Sequence, residues 1–65
     1  MTGIYKTTED LDLLDKETDG VIEVPEGDII YILKHYQNGT CLIGYQGQLT
    51  IQYWYTLEDK IEEVK

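Results

Sequence analysis

Arginine is absent from this 65-residue chain, and cysteine, histidine, tryptophan and proline occur once each. Without arginine there is no bidentate guanidinium fork of the kind that reads phosphate and guanine. Five lysines stand against thirteen carboxylates, for a net charge of −8, so direct contact with nucleic acid is not expected. The lone Cys41 excludes an internal disulfide, which leaves packing, a metal or a partner to hold the fold. An unpaired cysteine also suits a reducing, cytoplasmic setting. One cysteine and one histidine serve zinc poorly. No apolar run approaches the roughly 18 residues of a membrane span, and no basic-then-apolar leader is visible, so neither membrane nor export is expected. The length allows one domain, residues 1–65, near the lower limit for a lone apolar core.

What is present is unevenly spread. Nine carboxylates lie between Glu9 and Asp28 and four more between Glu58 and Glu63, while positions 29–57 contain none. That middle stretch carries Tyr31, Tyr36, Tyr45, Tyr53, Trp54 and Tyr55. An aromatic, β-prone body is therefore flanked by acidic segments, with no linker or internal repeat. The charge favours basic partners or a soluble surface.

Gly3 to Lys6 reads as a first short strand. Thr7 to Asp19 is acidic apart from Leu11, Leu13 and Leu14, and fits either one helical turn capped by Thr8 or a long excursion anchored by its leucines. Val21 to Val24 is short and β-branched, and Pro25-Glu26-Gly27-Asp28 is a turn by composition. Asp28 to Gln37 is the first strong strand, and Asn38-Gly39 is a hairpin signal because both residues tolerate positive φ. Pairing across it sets Lys34 near Ile43 and Tyr36 near Cys41, which puts His35 and Cys41 on opposite faces. Thr40 to Tyr45 and Leu49 to Tyr55 are the next strands, Glu58 to Lys60 one helical turn, and Ile61 to Val64 a last strand.

The turn at Gln46-Gly47-Gln48 decides which side chains are inside, since a one-residue change in loop length flips them all. A three-residue loop, the preferred reading, gathers Ile30, Ile32, Ile43, Leu49, Ile51 and Tyr53 on the inner face. It leaves Tyr31, Leu33, His35, Leu42 and Trp54 outside. A two-residue loop would instead put Leu42 on the face of Ile51 and Tyr53.

Val21 to Leu33, with its Gly27-Asp28 turn, resembles the diverging turn and second strand of Src-homology-3-like barrels. Thr56-Leu57-Glu58-Asp59-Lys60-Ile61-Glu62-Glu63-Val64 is similar to that family's closing segment. The resemblance implies an all-β fold, a small five-stranded, partly open barrel with a long acidic first loop. It departs from the proline-binding members, which have a tryptophan where this chain has Thr40-Cys41, and a proline and a tyrosine where it has Leu57 and Lys60. Polyproline recognition is therefore not expected.

A second, local resemblance covers Asp15 to Glu26, which is similar to an EF-hand calcium loop. It implies ligands from Asp15, Glu17, Asp19, the Val21 carbonyl and a bidentate Glu26, with Gly20 making the tight turn. An EF-hand needs a helix on each side. Ile29, Ile30 and Ile32 favour a strand there, although Ile29, Ile32, Leu33 and Tyr36 also fit helical spacing. An ordinary acidic loop is the competing reading, and no cofactor is otherwise expected.

Catalysis is not expected, because the carboxylates lie in open acidic loops rather than in an apolar pocket that would raise a pKa. The expected function is non-enzymatic protein binding through the apolar row Tyr31, Leu33, Leu42 and Trp54, joined by Asp12, Asp15 and Glu17 of the first loop. The partner would be another protein with a basic or apolar surface. In size and charge the chain resembles host-interaction proteins of bacteriophages and mobile elements. The alternatives are a nucleic-acid-mimicking inhibitor of a host enzyme, or a calcium-binding module. An exposed edge strand is compatible with a homodimer.

Overall fold

The computed structural model describes residues 2–15 and 18–64. Among these the chain is all-β: β1 (Gly3–Thr7), β2 (Leu11–Asp15), β3 (Gly20–Val24), β4 (Ile29–His35), β5 (Thr40–Tyr45), β6 (Gln48–Tyr53) and β7 (Ile61–Glu63), with a 3-10 turn at Trp54–Thr56. Five strands form one antiparallel sheet in the order β6-β5-β4-β1-β7, and β2 and β3 form a separate hairpin. The sheet is open, with β6 and β7 at its edges.

The acidic segment is neither a helical turn nor an irregular excursion. Leu11-Asp12-Leu13-Leu14-Asp15 alternates with the period of a strand, and Leu11 and Leu13 are buried while Asp12 and Leu14 are exposed. Across the hairpin Leu11 pairs with Val24 and Leu13 with Ile22, so these four side chains turn toward the sheet. Asp12 with Glu23, and Leu14 with Val21, turn away from it. The hairpin thus lids the inner face of the sheet, where Ile30, Ile32, Ile43 and Leu57 are fully buried. Each such side chain contributes about 1.5–3 kcal/mol relative to exposure.

Hydrogen bonds clamp this lid at both ends. The Thr7 hydroxyl donates to the Pro25 carbonyl at 2.7 Å and accepts the Asp28 amide at 3.1 Å. Pro25 to Asp28 closes a tight turn in which Gly27 has φ 90°, the conformation that favours glycine there. At the far end Thr50 Oγ1 and Gln52 Nε2 both donate to the Leu14 carbonyl, at 2.6 and 2.7 Å.

Both hairpin loops differ from the expected lengths, in opposite senses. Tyr36 and Thr40 close the first around three residues, with Gly39 at φ 86°. Lys34 therefore pairs with Leu42 and His35 with Cys41. A β-bulge at Leu33 lets Leu33 and Lys34 both face solvent before the alternation resumes. His35 and Cys41 consequently share a face, which corrects the sequence reading. The second loop has two residues: Tyr45 pairs with Gln48, and Gln46 and Gly47 take φ 48° and 80°, both positive as in a type I′ turn. This shorter loop reverses β6. Thr50 is buried, and Leu49, Ile51 and Tyr53, expected in the core, are 63%, 37% and 51% exposed.

Candidate functional site

The corrected register assembles a broader outer face than the expected one. Ile4, Tyr31, Gly44 and Leu49 stand in register across β1, β4, β5 and β6. Lys34, Leu42 and Ile51 form the next row. Gly44 is the floor between them. A Cβ built on it would stand 3.4 Å from Leu33 Cδ1, 3.8 Å from Leu49 Cδ2 and 3.9 Å from Tyr31 Cβ. The missing side chain leaves a shallow dip ringed by exposed apolar groups. Large exposed side chains in one contiguous patch, rather than scattered singly, are the mark of an interaction surface.

The cations of this face are Lys6, opposite Glu62 in the β1–β7 register, and Lys34, whose Nζ lies 5.4 Å from the Tyr36 ring centre. No carboxylate comes from β4, β5 or β6. The face is apolar and locally close to neutral in a chain of charge −8.

Of the expected apolar row, Tyr31 and Leu33 are exposed on this face and Leu42 is half-buried within it. Trp54 is not part of it. The 3-10 turn swings its indole against the core, edge-on to His35 at 5.0 Å and to Tyr5 at 6.2 Å between ring centres. Its backbone N–H is held by the Gly39 carbonyl at 2.9 Å. The residues missed by the sequence reading are Leu49 and Ile51, which the shorter second loop turns outward.

The acidic residues expected beside the row are split between two places. Asp12 points outward from the hairpin lid, on the opposite side of the molecule from Tyr31 and Leu33. With Asp10 and Glu23 it lines a shallow acidic cleft of about 360 Å³, whose floor is Leu11, Val24 and Pro25. Asp10 accepts the Glu26 amide at 2.9 Å. Asp15 is half-buried where β2 ends opposite Gly20, beside Gly47, Gln48 and Leu49. Glu17 lies outside the described residues. Asp12 thus lies on a different surface from the apolar row, whereas Asp15 lies beside Leu49 at the edge of that row.

The described residues of Asp15 to Glu26 do not take the EF-hand arrangement. Both flanks of Asp15 to Glu26 are strands, where an EF-hand needs helices. Asp15 and Asp19 sit at the hairpin tip, whereas Glu26 lies beyond the far end of β3, roughly 17 Å or more away at about 3.3 Å per residue. One ion cannot span that gap. The described residues contain no group of three or more His, Cys, Asp or Glu placed to hold a metal.

His35 and Cys41 face each other across β4 and β5, but the thiol hydrogen-bonds the Gln52 carbonyl at 3.6 Å. Burial pushes the Cys41 pKa up, which keeps it a protonated, weakly nucleophilic thiol. Tyr45 donates to Asp28 Oδ2 at 2.6 Å. That bond, with burial and the carboxylate's charge, pushes the tyrosine pKa up.

No protein-family model, curated protein or solved structure matches the chain at a significant level.

Proposed function

We propose that this chain is a Src-homology-3-like module that acts by binding another protein through the outer face of its sheet. The fold part of this reading is supported by chain order: an acidic hairpin between the first two long-range partners, a three-strand meander, a 3-10 turn and a short closing strand beside β1. The functional part rests on one observation, the contiguous apolar surface of Tyr31, Leu33, Leu42, Leu49 and Ile51 around Gly44. Aromatic and branched side chains presented on a rigid sheet lose little conformational freedom on docking, which is what makes such residues effective anchors. The partner's matching surface is apolar. A cytoplasmic setting suits the unpaired Cys41, and the small size and acidity fit a host-interaction protein of a phage or mobile element.

Charge mimicry is the second reading, favoured by the gathering of Asp10, Asp12 and Glu23 on the side opposite the apolar face. A photo-crosslinking amino acid at position 33 or at position 23 separates the two. Adducts with a cellular protein from position 33, insensitive to added salt, support apolar docking. Adducts only from position 23, lost as salt rises, would replace it with mimicry.

A further inference from the structure

The two edges of the sheet are built differently. β7 has three residues, two of them Glu62 and Glu63, and charge on so short a strand discourages further pairing. β6 has six residues, Gln48-Leu49-Thr50-Ile51-Gln52-Tyr53, with no charge and no proline. Its backbone is also open. The two-residue turn makes Tyr45 and Gln48 the closing pair, so Thr50 and Gln52 exchange bonds with β5, and the Trp54 amide continues that series to Gly39 at 2.9 Å. The alternate residues, Leu49 and Ile51, aim their amides and carbonyls away from the sheet. The Tyr53 carbonyl on that side accepts the Thr56 hydroxyl at 2.7 Å.

We propose that β6 pairs antiparallel with β6 of a second copy of this chain, joining the two sheets into one. A two-fold axis at Ile51 lets the two Ile51 residues exchange both backbone bonds and sets each Leu49 opposite Tyr53 of the second copy. Outer side chains then meet as Ile51 on Ile51 and Leu49 on Tyr53, and inner ones as Thr50 beside Gln52, so the strand is complementary to itself as an isologous contact requires.

Charge placement argues for a second copy over a foreign strand. A body of net charge −8 approaches its own kind most easily where carboxylates are fewest; residues 29–57 contain none, and of the described carboxylates Asp15 lies beside Gln48 and Leu49 at one end of the strand. Size argues the same way. A 65-residue domain with one buried cysteine has a small core, and oligomerisation is one of the few ways such domains gain stability. The pairing uses the edge and takes up the outer side chains of Leu49 and Ile51, leaving Tyr31, Leu33 and Leu42 around Gly44 free; it is argued from the strand edge and does not rest on the partner-docking reading. It merges two such faces into one surface.

Sedimentation of the intact chain from micromolar to millimolar concentration tests this, with hydrogen exchange on the same samples. The expected species at high concentration has twice the 7.6 kDa chain mass, and the Leu49 and Ile51 amides gain protection as it forms. Ile51→Pro removes a donor that the monomer does not use, so it should yield a folded monomer. Ile51→Lys keeps every backbone donor but places two ammonium groups at the axis, and covers the case in which proline disturbs the strand. A wild-type chain that stays monomeric throughout would overturn the proposal. So would a dimer that survives in both folded variants, or Leu49 and Ile51 amides protected only by an added foreign protein.

Discussion

Gly44→Ala should make the protein more stable and a poorer binder at once. Gly44 lies inside β5 without a positive φ, so no left-handed backbone demands glycine there. In a strand interior glycine costs about 0.5–1 kcal/mol relative to alanine. The new methyl would meet Leu33 Cδ1 at 3.4 Å, the free end of a side chain that is 50% exposed and can turn aside. Leu49 Cδ2 and Tyr31 Cβ, at 3.8 and 3.9 Å, are at ordinary contact distance. The strain is small, so the backbone term decides the sign and the gain is about 0.5–1 kcal/mol. For a domain of this size that raises the melting temperature by roughly 2–8 °C. Urea unfolding should show a higher midpoint with an unchanged slope. Gly47→Ala is the control: φ is 80° with nothing within 4 Å, so it should destabilise by about 1 kcal/mol through backbone strain alone. If Gly44→Ala lowers the midpoint while Gly47→Ala behaves as stated, the dip is closely packed rather than open. The outer face then has no open centre for a partner to enter.

Trp54→Ala should cost about 2–4 kcal/mol in denaturant unfolding, because the indole closes over Tyr5 and His35, whereas Leu33→Ala should change stability by less than about 0.5 kcal/mol. Equal losses would mean that Leu33 is packed as core. Tyr45→Phe should remove a pH dependence at the alkaline end. The folded state holds the Tyr45 proton more tightly than the unfolded chain, so this contribution is fully present below the ordinary tyrosine value of 10.0 and fades as pH rises through the raised folded value. Unfolding curves taken across that range should fall less steeply for the phenylalanine variant. Parallel profiles would show that the bond to Asp28 carries no such linkage.

The strand content was legible because β4, β5 and β6 are rich in Ile, Tyr and Thr, and because Pro25-Glu26-Gly27-Asp28 admits little but a turn. The faces were not, since they hang on two loops. Asn38-Gly39 reads as a two-residue loop, yet the Asn38 side chain accepts both the Thr40 amide, at 3.1 Å, and its hydroxyl, at 2.6 Å, and the loop takes in Gln37 as well. Gln46 gives no sign that it adopts φ 48°, because glutamine pays a steric cost there that only the closed hairpin offsets. The first error misplaced Lys34 and His35, with the bulge at Leu33 restoring the expected face of β5, and the second turned all of β6 over, because one residue is a whole face. Leu11-Asp12-Leu13 carried its alternation openly, but dense charge disguised a strand as a loop. Tyr31, Leu33 and Leu42 kept their places because alternation fixes them relative to Ile30, Ile32 and Ile43, whereas Trp54 sits past the strand end, where alternation stops applying.

Nine of the thirteen carboxylates lie between Glu9 and Asp28 and none between positions 29 and 57, and an uneven charge orients what it attracts. A cationic protein diffusing toward this chain is drawn to the hairpin, arriving on the side that bears no apolar dip. The face around Gly44 gains nothing from that pull. Under the docking proposal, a partner for that face would find it by unaided collision, at association rates of about 10⁵–10⁶ M⁻¹s⁻¹ rather than the far higher rates of steered encounters. Tight binding there would come from slow departure, so the lifetime of such a complex, more than the speed of its formation, is what the apolar face would control.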